Sequence, residues 1–170
     1  LQAKTLILPL SDVTRAEAVN LRCTSSEYEI MLPISPRWKI NKAILKFAYF
    51  NSAALIKRNS QLEVSLNGIP LTQIKLDPLA PQGNAVIELP NMLLESSYNS
   101  LKFNVAQHYA SECELPCMPE LWTKVLANEA ILELDYDLKP VPLRISAVSD
   151  FLFDAKVFPS AEVNVMTEST

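Results

Sequence analysis

The clearest signal along the chain is the return of apolar residues at every second position. In residues 61–67, QLEVSLN, Leu62, Val64 and Leu66 fall on one face and Glu63 and Ser65 on the other, the period of a half-buried strand. Asn67-Gly68 follows, the pair best suited to the positive φ angles of a two-residue hairpin turn, and residues 69–76 return from it. The alternation recurs at Ala43, Leu45, Phe47 and Tyr49, and at Leu101, Phe103 and Val105. It appears again over residues 132–136, against Glu133, Asp135 and Asp137. Residues 28–32 and 85–89 are shorter candidates. About seven or eight strands separated by turn signals predict an all-β sandwich. Helical spacing is confined to residues 119–128, where Leu121, Trp122, Val125 and Leu126 share one side and predict a short helix in one connection. After Asp137 the pattern loosens. Residues 1–140 therefore read as the domain, and residues 141–170 as a linker leading into one more strand at 162–167, EVNVMT.

Composition sharpens this picture in a few places. Twelve Pro against two Gly is a lopsided ratio, and Pro33, Pro36, Pro70, Pro78, Pro81 and Pro90 sit between apolar runs, where proline ends strands and shapes loops. A length of 170 residues suits one core. Apolar residues at 49 % and charged residues at 20 % describe a chain that folds. A net charge of −4 without a basic run argues against nucleic acid, whose phosphates need clustered Lys and Arg. No run of apolar residues approaches the ~18 needed to span a bilayer. The chain begins at Leu1 without an initiator Met, as expected of a processed end or an excised piece.

Reactive side chains concentrate in residues 108–122, HYASECELPCMPELW, which hold the single His, two of three Cys and one of two Trp. A zinc site would use His108, Cys113 and Cys117, but no further His or Cys pair completes a four-ligand set, so no metal is expected. A Cys nucleophile would depend on His108 as its base, and no catalytic signature surrounds the pair. Cys113 and Cys117 read either as two buried thiols or, in an oxidising compartment, as a disulfide closed across Glu114-Leu115-Pro116, with Cys23 left over as a small buried hydrophobe. Glycoside hydrolysis would need two of Glu112, Glu114 and Glu120 in one cleft. Phosphate-cradling loops need glycine, and Gly68 and Gly83 alone cannot build one. No cofactor is expected. The aromatics Trp38, Tyr49, Phe50, Tyr98, Tyr109 and Trp122 remain as possible flat platforms for a sugar ring, against the ordinary expectation that a sandwich buries its aromatics. Trp38, Tyr109 and Trp122, with Glu114, are the candidate glycan contacts. Trp122 reads also as the core residue of the predicted helix, and Trp38, beside Arg37 and Pro36, as the more exposed of the two.

Taken in order, Tyr49, Ser52, the strand and turn Ser60-Gln61-Leu62-Glu63-Val64-Ser65-Leu66-Asn67, Asn99-Ser100-Leu101-Lys102-Phe103, His108-Tyr109, Cys113-Glu114 and Leu121-Trp122 resemble the first domain of the periplasmic B subunit of bacterial cellulose synthase. The resemblance covers about residues 5–140 and rests on serial order and spacing. Two departures stand out: Asn51-Ser52-Ala53 replaces the family's Ser-Pro, and Cys23 stands where a glycine is usual. The resemblance implies a jelly-roll, carbohydrate-binding-like domain, the first of two, in a non-catalytic subunit of the periplasm tethered to the inner membrane by a segment not in this sequence. It implies a co-polymerase that supports the membrane glucosyltransferase and guides β-1,4-glucan. Its implied partners are the catalytic subunit, the glucan and other copies of the same subunit. An interaction scaffold without glycan contact is the alternative. Cyclic-di-GMP binding through an Arg-x-x-x-Arg motif is not supported, since Arg15 and Arg22 are seven apart.

Overall fold

The computed structural model describes residues 3–140 and 144–158. One sheet holds β1 (Lys4–Pro9), β2 (Ala18–Arg22), β4 (Trp38–Asn51), β7 (Gln82–Glu88), β9 (Trp122–Leu126) and β10 (Ile131–Leu138); the other holds β3 (Ser25–Ile34), β5 (Gln61–Leu66), β6 (Ile69–Lys75) and β8 (Ser97–Ala106), in the order β3-β8-β5-β6. A strand has two edges, and the pairing of β4 assigns both. Ile44 and Lys46 of β4 face β10 on one side and β7 on the other, while Tyr49 and Phe50 face β9 and β7. So β9 and β10 lie end to end along one edge of β4, and β2 and β1 lie end to end beyond them. The first sheet is thus four strands wide with two of its strands interrupted, and the whole is the two-sheet jelly roll expected of the family.

The two interruptions meet. α1 (Leu10–Thr14) leaves the sheet between β1 and β2, and residues 127–130 turn out between β9 and β10. There the amides of Leu10 and Ser11 donate to the carbonyls of Ala130 and Ala127, and the Asn128 amide donates to Glu17. Ala127 and Ala130 are fully buried beside the fully buried Leu10. Between the sheets the alternating residues interdigitate, with Phe47 of β4 meeting Phe103 of β8 edge-on at 5.2 Å.

The 61–76 hairpin forms as the alternation predicts. Asn67 and Gly68 both have positive φ, 49° and 82°, the requirement of the two-residue turn whose twist matches that of paired strands. Pro70 is tolerated because β6 is an edge strand.

Two expectations are corrected. Residues 119–128 contain β9, not a helix. Thr123 and Val125 point inward between Trp122, Lys124 and Leu126, and β9 is paired on both edges, so ladder hydrogen bonds override a spacing that suited a helix equally well. Within residues 141–158, expected as linker, Ile145–Ala147 forms a 3₁₀ turn and Val148–Val157 forms α2. So short a helix is marginal alone. It is held by docking: Asp154, 5 % exposed, pairs with Arg37 at 3.3 Å, Phe153 packs against Tyr98, and Phe158, just past the helix, packs against Trp38. The strand expected at 162–167 lies outside the described residues.

A Cβ built on Gly68 would meet nothing within 4 Å, so a substitution there reads backbone strain alone. Gly68→Ala should lower the unfolding free energy by about 1 kcal/mol, seen as a lower urea midpoint at unchanged slope. An unchanged midpoint would mean that the turn relaxes to another type.

Candidate functional site

The loop that follows β8 is tied down at its root. Gln107 is fully buried, and its side-chain amide donates to the carbonyls of Cys23 (2.8 Å) and Leu21 (3.2 Å) while its oxygen accepts from Thr123 Oγ1 at 2.8 Å. The backbone of His108 exchanges bonds with Ile56 and Ser60. Beyond it the loop folds back on itself. His108 Nδ1 lies 2.6 Å from one Glu114 oxygen, the Tyr109 amide donates to the other at 2.7 Å, and the Tyr109 hydroxyl accepts from the Leu115 amide at 3.1 Å.

The cysteine pairing differs from the local loop expected between Cys113 and Cys117. The disulfide joins Cys23 to Cys117, and Cys113 is a free, exposed thiol. The reason lies in the docking of the loop. Glu114 turns inward to His108, which leaves Cys113 facing solvent, and the Thr24 amide donates to the Pro116 carbonyl at 2.8 Å, which brings Cys117 against Cys23. Cys23 is therefore no leftover hydrophobe but a half-buried bridge residue. Its φ of 68° is the left-handed conformation that glycine favours, in accord with the glycine usual at this place in the resembling family.

Glu112 and Glu120 are exposed, and Glu114 is engaged with His108 and Tyr109, so the three carboxylates expected as a possible catalytic set serve no common cleft. Among the described residues, no group of three or more His, Cys, Asp or Glu is placed to hold a metal ion. Trp38 is half-buried, its ring packed on Tyr136 at 4.5 Å and on Phe158 at 4.9 Å.

Trp122 is placed differently. On β9 it points outward with Lys124, between the inward Thr123 and Val125; on β2 Asn20 and Arg22 point outward between the buried Val19 and Leu21. The register sets Arg22 opposite Trp122, and Asn20 opposite Lys124, which in turn faces Phe50 of β4. Asn20, Arg22, Pro119, Trp122, Thr123 and Lys124 line an open cleft of ≈ 340 Å³ on the outer face of the first sheet. The alternation of Val19-Asn20-Leu21-Arg22 and Thr123-Lys124-Val125 is the signal that could have revealed the polar wall, which the reading of residues 119–128 as a helix missed.

A scan of protein families matches residues 3–138 to the family described as cellulose synthase BcsB, first CBM domain. The chain belongs to that family. Curated relatives of this BcsB domain include proteins named "Cyclic di-GMP-binding protein". The one from Pseudomonas fluorescens (strain SBW25) is 27 % identical over 142 residues, 81 % of this chain and 18 % of the relative. The one from Xanthomonas axonopodis pv. citri (strain 306) is 29 % identical over 126 residues, 67 % and 16 % of the two chains. The chain thus spans less than a fifth of their length. Among solved structures it is similar to TmCBM61 in complex with β-1,4-galactotriose, at 12 % identity over 76 % of this chain and 80 % of that one, with a TM-score of 0.40. The BcsB first CBM domain is a carbohydrate-binding-like domain of a cellulose synthase accessory subunit. Among its described residues no helix is long and apolar enough to cross a membrane.

Two measurements test the loop. Peptide mapping without reduction should recover Cys23 bonded to Cys117 and Cys113 alkylated, and Cys117→Ser should cost up to about 4.7 kcal/mol, the entropy of opening a loop of 94 residues, while Cys113→Ser costs nothing measurable. Burial raises the pKa of Glu114, but the bonds from His108 and the Tyr109 amide, the charge of His108 and the Ala110 amide outweigh it and hold the carboxyl below the ordinary 4.5. A depressed carboxylate stabilises the fold above that value, and the contribution is lost as pH falls through the folded-state pKa. The melting temperature should therefore fall more steeply below about pH 4.5 in the parent chain than in Glu114→Gln. Parallel curves would show that the pair contributes nothing.

Proposed function

We propose that this domain is a non-catalytic, glucan-handling element of a periplasmic cellulose synthase subunit, and that it receives the β-1,4-glucan on the outer face of its first sheet, across Trp122. The observation that carries this reading is the cleft itself, in which Trp122, half-buried on the outer face of the sheet, stands beside Asn20 and Arg22 in a domain of the BcsB family. An aromatic face suits the C–H face of a glucose ring, and an amide beside it both donates to and accepts from hydroxyls. Of the four candidate contacts, this reading keeps Trp122. It gives Tyr109 and Glu114 the task of shaping the loop, and Trp38 that of seating α2, because their rings and polar atoms are engaged within the chain. In the full-length subunit such a face would support the catalytic subunit by keeping the emerging polymer extended.

A second reading has its own observation. β1 of one sheet and β3 of the other are both edge strands, and along them Ile7, Met31 and Tyr98 expose apolar surface in a groove of ≈ 890 Å³. Such an edge suits a protein partner, among them the catalytic subunit or another copy of the accessory subunit.

Titrating the labelled chain with cellohexaose should move resonances of Trp122, Asn20 and Phe50 in a saturable way. Trp122→Ala should weaken binding at least about tenfold, while Trp38→Ala and Tyr109→Phe leave it within about twofold. No shifts at millimolar oligosaccharide would assign the domain to scaffolding.

A further inference from the structure

We infer that the Trp122 cleft selects glucan chains that carry negatively charged groups over neutral ones; this rests on the glucan-handling reading above and narrows its ligand. Hydroxyl groups of a neutral glucan both donate and accept hydrogen bonds, so a site made for them offers both kinds of partner. The cleft does not. Arg22 presents guanidinium N–H donors and no acceptor, Lys124 presents ammonium donors and no acceptor, and the Trp122 indole only donates. The hydroxyl of Thr123 is already given to Gln107. Thr123 is buried, with its hydroxyl turned inward, so the Asn20 oxygen is the one exposed side-chain acceptor among the six lining residues, and none of the six is acidic. A donor-rich, acceptor-poor surface matches a ligand group that has acceptors and no protons, such as a carboxylate, a sulfate or a phosphate ester on the sugar.

Charge supports the same conclusion. Among the described residues neither Arg22 nor Lys124 has a carboxylate partner, whereas Lys46, on the outer face of the same sheet, is neutralised by Glu133 at 2.9 Å. Two uncompensated cations flank one aromatic ring in a chain of net charge −4. The register holds them there. Arg22 sits opposite Trp122, and Lys124 lies two residues along the same strand face, so an anionic substituent on a sugar stacked over the indole lies within reach of both.

The test uses the 170-residue chain and three probes: cellohexaose, the same oligosaccharide with its primary hydroxyls oxidised to carboxylates, and cyclic di-GMP. By calorimetry at about 0.01 M salt the oxidised oligosaccharide should bind about fivefold more tightly than cellohexaose, the advantage expected of two exposed ion pairs, and the advantage should vanish near 1 M salt. In Arg22→Gln/Lys124→Gln the ratio of the two affinities should fall to about one, and in Arg22→Lys it should persist. The salt series on the unaltered chain needs no variant and stands if the double variant fails to fold. Equal affinities for both sugars at low salt overturn the inference and leave the glucan-handling reading intact. Binding of neither sugar overturns both. Binding of the dinucleotide alone also overturns both, since ring and charge would then be read as base and phosphate.

Discussion

The structure turns on one buried amide. Gln107 directly follows β8 of the second sheet, yet its side chain bonds the Leu21 carbonyl of β2, the Cys23 carbonyl just past it and the hydroxyl of Thr123 on β9, all on the side of the first sheet. Side-chain amides are seldom fully buried unless every polar atom is matched, and here all are. A hydrophobe at this position would leave the Leu21 and Cys23 carbonyls and the Thr123 hydroxyl facing a dry interior. The bond network fixes the spacing of β2 and β9 at the end of the sandwich where Asn20, Arg22, Trp122 and Lys124 emerge. These two strands touch the outside only through alternate residues, so fixing their inner side chains also sets the geometry of the outer ones.

The disulfide and the loop reinforce the same point. Cys23 follows β2 directly, and its bridge to Cys117 fastens the segment that runs into β9. The left-handed backbone at Cys23 costs some strain for a non-glycine residue, and the cross-link that closes a loop of 94 residues more than offsets it. The His108–Glu114 pair and the Tyr109 hydroxyl stiffen the intervening turn without opening a cleft. Thus the most chemically crowded stretch of the chain is a clasp, and the Trp122 cleft lies on the strand that the clasp delivers.

Much of the fold was legible before any coordinates. The 61–76 hairpin, β4, β8 and β10 follow from strict alternation, because a strand with one dry face places its apolar residues at every second position. β9 was not legible as a strand. Leu121, Trp122, Val125 and Leu126 satisfy a helical stripe as well as they satisfy a strand, and the choice is made by hydrogen bonds to β2 and β4, more than seventy residues upstream. Mistaking β9 for a helix also misplaced Trp122 as a core residue. β1 and β2 escaped notice because each covers only five or six residues, on either side of α1. The expectation of an exposed Trp38 had no means of foreseeing α2, whose docking covers the ring.

By itself the sequence determined an all-β sandwich, its principal hairpin, its want of glycine loops, and its likeness to the BcsB family, since each of these depends on residues near one another in the chain or on their serial order. Tertiary structure decided which cysteines pair, that Trp122 stands on the outer face of the first sheet, and which cations stand beside it. Those outcomes depend on distances between residues tens of positions apart, and local periodicity carries no information about such distances. Cys113 and Cys117 are neighbours in the chain, but docking of the loop onto β2 turns one to solvent and the other to Cys23.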